Sequence, residues 1–339
     1  MKRKRVLALI LTCAMLITML PIAGAVSFRD TQGHWAQDAI DKWSGYGVIQ
    51  GYDNNFEPDA PIIRGDMAVI IDRLMDYQEK ADNTFSDLGT AYYTDAVLRA
   101  AAAGVMKGYD GKVRPDDPIT REEAVCMLAR ALSVEGGTGL VGFADNSSSI
   151  SAWAIAYVTA FEQKDYVNGK GGNRFDPQAN VTRAEVVQML DNMISDYITE
   201  AGTITSVGNG IVIVKTSGVM LNGVTIQENL ILGGNAGTVT ARNCTINGQA
   251  VEVASSMLKT EGTCGTTGGS SGGSSGSSTP DAPDAYTLPK GEETSKSLGV
   301  FDYDMTYYVT LTAEEGADIY YEIAEGEECC RKRHIPLLK

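Results

Sequence analysis

The rhythm of apolar positions changes several times along the chain. From about residue 28 to 196 they recur at helical spacing. Trp35, Ala39, Ile40 and Trp43 make one stripe, Gly45, Gly47 and Gly51 interrupt it, and Met67, Ile70, Ile71 and Leu74 resume it. Beyond Glu200 the pattern becomes short alternating runs divided by Asn222-Gly223 and Asn247-Gly248, which predicts strands and tight turns. Residues 262 to 285 are Gly, Ser, Thr, Pro and Asp with almost no apolar content, a flexible linker. At the other end, Lys2, Arg3, Lys4 and Arg5 precede the apolar run Val6 to Ile22 and the small residues Ala23-Gly24-Ala25. That order predicts a removable secretory signal, too short to serve as a bilayer span.

The helical region contains one pattern three times, beginning at Phe28, Phe85 and Phe143. Anchoring the copies on Trp35, Tyr92 and Trp153, an offset of 16 residues lands on Gly51, Gly108 and Gly169. Offsets of 29, 29 and 30 land on Arg64, Arg121 and Arg183. Each copy reads as helix, loop, helix, with Pro58, Pro115 or Pro177 in the loop. Thr120-Arg121-Glu122-Glu123 and Thr182-Arg183-Ala184-Glu185 have the form of a capping box, whereas Ile63-Arg64-Gly65-Asp66 lacks the hydroxyl. Its helix should begin less firmly, by about 1 kcal/mol. Units this small cannot bury their own apolar stripes, so three must pack together as a helical prism.

These features carry a resemblance. The aromatic-Ala opening, the spaced glycines Gly47 and Gly51 or Gly104 and Gly108, and Thr182-Arg183-Ala184-Glu185 look like S-layer homology repeats, over about residues 28 to 196. The resemblance implies a pseudo-threefold helical domain that binds secondary polymers of a Gram-positive-type cell wall, often pyruvylated, without covalent attachment.

The residues themselves suggest how. Each arginine follows a helix cap, where unpaired amides and the helix dipole favour an anion and a guanidinium adds two parallel donors for a carboxylate. Trp35, Trp153 and Tyr92 or Tyr93 could lie against a sugar's apolar face, and Gly51, Gly108 and Gly169 would let backbone amides approach it. Up to three grooves between repeats are expected. Glu123 and Glu185 are expected as capping partners and Cys126 as a small core residue.

Net charge is −15, and the mature chain is more acidic still once the basic leader is removed. No nucleic-acid partner is therefore expected. Six cysteines, five once Cys13 leaves with the leader, have no regular spacing and make no disulfide framework, and His34 and His334 are the sole histidines, so no metal site, cofactor or histidine-based catalysis is expected. No paired carboxylates in an apolar groove stand out, and the protein is not expected to be an enzyme.

A 20-residue shift superimposes Val219 on Val239, Val224 on Cys244, Thr225 on Thr245, Ile226 on Ile246 and Ile231 on Val251. This predicts a short right-handed β-solenoid of two or three coils. Tyr307 to Leu311 and Ile319 to Ile323 alternate like a hairpin, and TLTAEEGADIYYEI resembles the start of chitobiase C-terminal-like β modules. The basic run after Cys329-Cys330 suggests a reading frame truncated or shifted near Glu328. The expected organisation is a multi-domain α plus β chain. It comprises a signal at 1–25, repeats at 26–82, 83–140 and 141–200, the solenoid at 201–257, the linker at 258–285 and an incomplete β-sandwich module at 286–339. The expected function is noncovalent anchoring of an exported protein to an anionic, pyruvylated wall polysaccharide. The alternatives are a self-associating surface-layer subunit or the anchor portion of a truncated glycan hydrolase.

Overall fold

The computed structural model describes residues 27–139, 141–145 and 149–266, and the backbone of short strands beyond. The expected signal at 1–25 and most of the expected linker and C-terminal module lie outside the described residues. Two compact units, 1–274 and 275–339, divide the chain.

Six α-helices are described in the first unit: α1 (Gln37–Gly45), α2 (Arg64–Met75), α3 (Thr94–Ala102), α4 (Arg121–Ala131), α5 (Ile155–Gln163) and α6 (Arg183–Met193). Each repeat supplies two. The first helix of each ends in the same way, because Gly47, Gly104 and Asp165 take left-handed backbone with φ of 73°, 70° and 56°. The following amides turn back onto the last helical turn, as in Val48 N–H to the Trp43 carbonyl at 3.1 Å and Tyr166 N–H to the Phe161 carbonyl at 2.8 Å. α4 and α6 begin with complete capping boxes on Thr120 and Thr182, and α2 begins at Ile63 with no side-chain cap, as the sequence requires.

The repeats close into a ring. The Ile62 amide donates to the Val181 carbonyl, Val181 to Ile119 and Ile119 to Ile62, at 3.1, 3.0 and 3.1 Å, and all three side chains are fully buried. Around this hub each second helix is stitched to the next repeat's loop. The amides of Arg64, Arg121 and Arg183 donate to the carbonyls of Asp117, Ala179 and Ala60, each at 3.0 Å. Those of Gly65, Glu122 and Ala184 donate to Pro115, Pro177 and Pro58. The amides expected to remain available for an anion at these helix starts are thus occupied, because a neighbouring loop supplies the acceptors that an isolated helix lacks.

A second triad was visible but not weighed in the sequence. Asp30, Asp87 and Asp145, two residues after each repeat's phenylalanine, accept paired amides from Phe56 and Glu57, Val113 and Arg114, and Phe175 and Asp176. Burial pushes these carboxyls up, but the amide bonds outweigh it and hold all three below the usual carboxylate range.

α6 runs directly into strand β1 (Ile194–Ile198), which opens a β-solenoid. Its first coil continues with β2 (Gly202–Ile204). Then come β3 (Ile211–Val214), β4 (Val219–Asn222) and β5 (Thr225–Ile226); β6 (Leu230–Leu232), β7 (Thr238–Arg242) and β8 (Thr245–Ile246); and β9 (Ala250–Glu252), β10 (Met257–Glu261) and β11 (Gly265–Thr266). Parallel pairing stacks them into faces ordered β1-β3-β6-β9, β2-β4-β7-β10 and β5-β8-β11, with β12 (Ser270–Ser271) beside β9. Val251 pairs with Ile231 and Thr245 with Thr225, the expected 20-residue register. The solenoid is longer than expected at both ends, since β1 lies in the stretch read as the third repeat and most of β10 and all of β11 lie in the stretch read as linker from 258. Cys264 repeats the position of Cys244, and Leu258 and Cys264 pack on the solenoid core.

The solenoid packs on the base of the prism. In β3, Ile211 and Ile213 join the helical core while Val212 and Val214 fill the solenoid interior, so the strand is apolar throughout rather than alternating. Polar side chains cap the exposed ends of the second helices. Lys215 Nζ donates to the Arg73 and Leu74 carbonyls of α2, both at 2.8 Å, and pairs with Asp76 at 2.6 Å. Asn229 donates to the Leu132 and Ser133 carbonyls just after α4, at 2.9 and 2.8 Å.

In the second unit, β13 (Tyr286–Thr287) pairs with β14 (Leu311–Thr312), and β15 (Ile319–Tyr321) pairs antiparallel with β16 (Arg333–Ile335). The expected hairpin between 307–311 and 319–323 lies largely outside the described residues, and its described parts pair with other strands. Alternation assigns residues to faces but does not choose a strand's neighbour.

Candidate functional site

The ring that joins the repeats also makes the grooves, and each groove is built from all three copies. Between the first and second repeats, Arg64 Nε donates to the Val113 carbonyl and Nη2 to the Lys107 carbonyl, while Nη1 meets Glu123 at 3.1 Å. Trp153 of the third repeat stands at the rim, half-buried, and the groove encloses about 320 Å³ with Arg114, Asp117, Glu122, Ser151 and Gln178. Between the second and third repeats, Arg121 binds the Phe175 and Asn168 carbonyls and pairs with Glu185 at 3.1 Å. Trp35 of the first repeat forms that rim, and the cavity, about 370 Å³, also includes Gly169, Lys170, Gln188 and Asn192. Between the third repeat and the first, Arg183 binds the Phe56 and Gln50 carbonyls and pairs with Asp66 at 3.2 Å. Tyr92 of the second repeat closes on the same acid, its hydroxyl donating to Asp66 Oδ1 at 2.6 Å.

The predicted site residues are therefore brought together, but in roles that differ among them. Trp35 and Tyr92 are 60% and 72% exposed, and with Trp153 they line the rims where a ring could lie flat. Tyr93, the alternative to Tyr92, is buried and donates to Asp116 at 2.7 Å. The arginines form the floors. Arg64 and Arg121 are 7% and 2% exposed, and each of the three forks faces a carboxylate of the protein itself, with the ring of Phe56 or Phe175 stacked under Arg183 and Arg121. Burial pulls the Arg64 guanidinium below its ordinary range, against the opposing pull of Glu123.

Gly51 and Gly108 serve internal packing. A side-chain carbon on Gly51 would lie 2.2 Å from the Asn55 carbonyl oxygen and 2.5 Å from the Phe28 ring, and one on Gly108 would lie 2.5 Å from the Phe85 ring. Gly169 would meet Asn173 but lies in the second groove's lining.

Glu123 and Glu185 are the capping partners expected, and they have a second task as the arginines' counter-ions. Burial raises the Glu185 carboxyl, yet the bond from Lys170 at 2.9 Å and the charge of Arg121 hold it below the usual carboxylate range. Lys170 was passed over in the sequence, although it occupies the place held by Tyr52 and Tyr109 in the other copies, one residue after the aligned glycine. Among the described residues no group of three or more histidine, cysteine or acidic side chains is arranged to hold a metal ion. No helix there is long and apolar enough to cross a membrane.

A triangular prism of three helix-loop-helix repeats with aromatic-rimmed grooves between them defines the class of this domain. Residues 27–68, 84–125 and 147–187 each match the S-layer homology domain. The chain is 31% identical over 176 residues to the amylopullulanase of Thermoanaerobacterium thermosulfurigenes, covering 50% of this chain and 9% of that protein. It is 31% identical over 178 residues to the exoglucanase XynX of Acetivibrio thermocellus, and 28% identical over 186 residues to the surface-layer 125 kDa protein of Lysinibacillus sphaericus. These cover 50% and 52% of this chain and 16% of each relative. The chain thus spans a small part of each relative. The three domain matches and the surface-layer relatives mark a secreted, cell-wall-associated protein, and a module common to surface-layer proteins and polysaccharide-degrading enzymes supports cell-surface anchoring.

Proposed function

We propose that the prism anchors its chain noncovalently to the cell wall by holding an anionic, pyruvylated secondary polysaccharide in the grooves between repeats. The observation that carries this reading is the groove itself: a rim aromatic, a cationic floor and polar amides or hydroxyls contributed by all three copies. Trp35, Trp153 and Tyr92 offer faces to sugar rings. Arg64, Arg121 and Arg183 supply positive charge from below and fix the loops that shape the cavity. The ligand's carboxylate meets the edge of an existing ion-paired lattice rather than an unoccupied fork, so recognition is local and the acidic surface at large is screened beyond about 8–10 Å.

The solenoid then acts as a rigid extension of the anchor, and residues 286–339, with their likeness to chitobiase C-terminal-like modules, belong to the carried portion. Surface-layer relatives favour a second reading, self-association into a lattice. One experiment addresses both. The full chain is sedimented with isolated walls before and after extraction of their non-peptidoglycan polymer. Anchoring predicts co-sedimentation that disappears on extraction; unchanged sedimentation after extraction contradicts it, and ordered assembly without walls supports the lattice.

A further inference from the structure

The three grooves share a plan but not a charge. Resting on the polymer-binding reading above, we propose that the groove between the second and third repeats, beneath Trp35, is the seat of the acidic sugar and that Lys170 is its specificity-determining cation. The first groove, by contrast, is biased against an acidic sugar by Glu122.

The argument compares equivalent positions. One residue after the aligned glycine the copies carry Tyr52, Tyr109 and Lys170, so the second groove alone receives an ammonium there. Lys170 is about one-third exposed and bonds Glu185 Oε1 at 2.9 Å, while Arg121 takes Oε2 of the same carboxylate from beneath. Two cations thus face one acid, and an ammonium has three donors, so Lys170 can meet a second carboxylate at the rim while keeping the first. One residue after the arginines the copies carry Gly65, Glu122 and Ala184. Glu122 is 2% exposed and accepts from Ser151 N–H, Ser151 Oγ and Gln178 Nε2, all neutral donors. It is the third acid of a lining that also holds Glu123 and Asp117, against the two cations Arg64 and Arg114. In the third groove the rim aromatic is tethered, since Tyr92 is bonded to Asp66. The second groove therefore combines an exposed aromatic face, net positive lining and the amides of Gln188 and Asn192, a fit to a ring bearing both hydroxyls and a carboxylate.

The test measures equilibrium binding of the full chain to polysaccharide released from isolated walls, native or with its carboxylates chemically reduced to alcohols. Lys170→Gln should weaken native polymer by about tenfold, the loss of one charged hydrogen bond, and leave reduced polymer unaffected. Lys170→Arg should restore native binding, which a merely structural role in steadying Glu185 would not separate by ligand charge. Trp35→Ala should weaken both polymers, and by more than Trp153→Ala does, and Glu122→Gln should not weaken native binding. Equal effects of Lys170→Gln on native and reduced polymer, or loss of binding through Trp153→Ala with Trp35→Ala silent, overturns the assignment while leaving the anchoring function standing. Failure of the unaltered chain to bind either polymer overturns the function itself.

Discussion

The prism and the solenoid are both repeats, yet they satisfy their backbones in opposite ways. In the prism the Arg64, Arg121 and Arg183 forks give to the following copy and the Ile119, Val181 and Ile62 amides to the preceding one, and both circuits close between the third copy and the first. In the solenoid each coil pairs its strands only with those of the adjacent coils, and the faces end at β10, β11 and β12. A closed ring has no end from which to loosen, so one broken stitch weakens the whole; an open stack can fray from its last coil. The grooves lie in the ring, which keeps their rims in register.

The strongest way to break this comparison is through a floor arginine. Arg121→Ala leaves the Phe175 and Asn168 carbonyls and part of Glu185 without a partner in a buried setting. It should lower prism stability by about 3–5 kcal/mol in urea unfolding followed by circular dichroism. A loss under about 1 kcal/mol would mean the ring is not cooperative. Next comes the joint between the regions. Asn229→Ala strands two carbonyls beyond α4 and should cost about 1–3 kcal/mol, with amide exchange rising in both prism and solenoid rather than in one. Capping is smaller: Thr182→Ala should cost about 1 kcal/mol, and the same change at Thr120 should match it.

Acid sharpens the contrast. Asp30, Asp87 and Asp145 have folded values below their unfolded ones, so the stability they contribute is present above the unfolded carboxyl range, about pH 4, and is lost as pH falls through the folded values. Asp87→Asn should flatten the acid limb of prism stability. In the solenoid the carboxyl pushed furthest down, Glu261 at about 2, owes this to the exposed Lys259 and Arg242, so its influence should fade in high salt while the amide-held triad persists. The smallest effect is expected at Asp165, which takes the left-handed position that glycine fills in the other repeats. Asp165→Gly should gain about 0.5 kcal/mol by thermal unfolding.

What the sequence disclosed follows the range of its signals. Trp35, Tyr92 and Trp153, the arginines at fixed offsets, and the capping boxes at Thr120 and Thr182 with none at Ile63 are local patterns, and the structure keeps them all. The occupant of each arginine fork was not legible, because Glu123, Glu185 and Asp66 reach the forks only when copies close on one another. Lys215 and Asn229 cap helices over a hundred residues upstream or nearly so, a relation no local window displays. Lys170 and Cys264 were legible and passed over: each stands at a repeat-equivalent position where its neighbours differ or agree in plain view.

The most direct measurement removes all three rims from the full chain together, Trp35→Ala, Tyr92→Ala and Trp153→Ala, and asks whether it still sediments with intact walls. The account predicts that wall binding is lost while the urea midpoint stays within the range expected for exposed and half-buried side chains. Undiminished sedimentation of that folded variant would show that the grooves do not hold the wall.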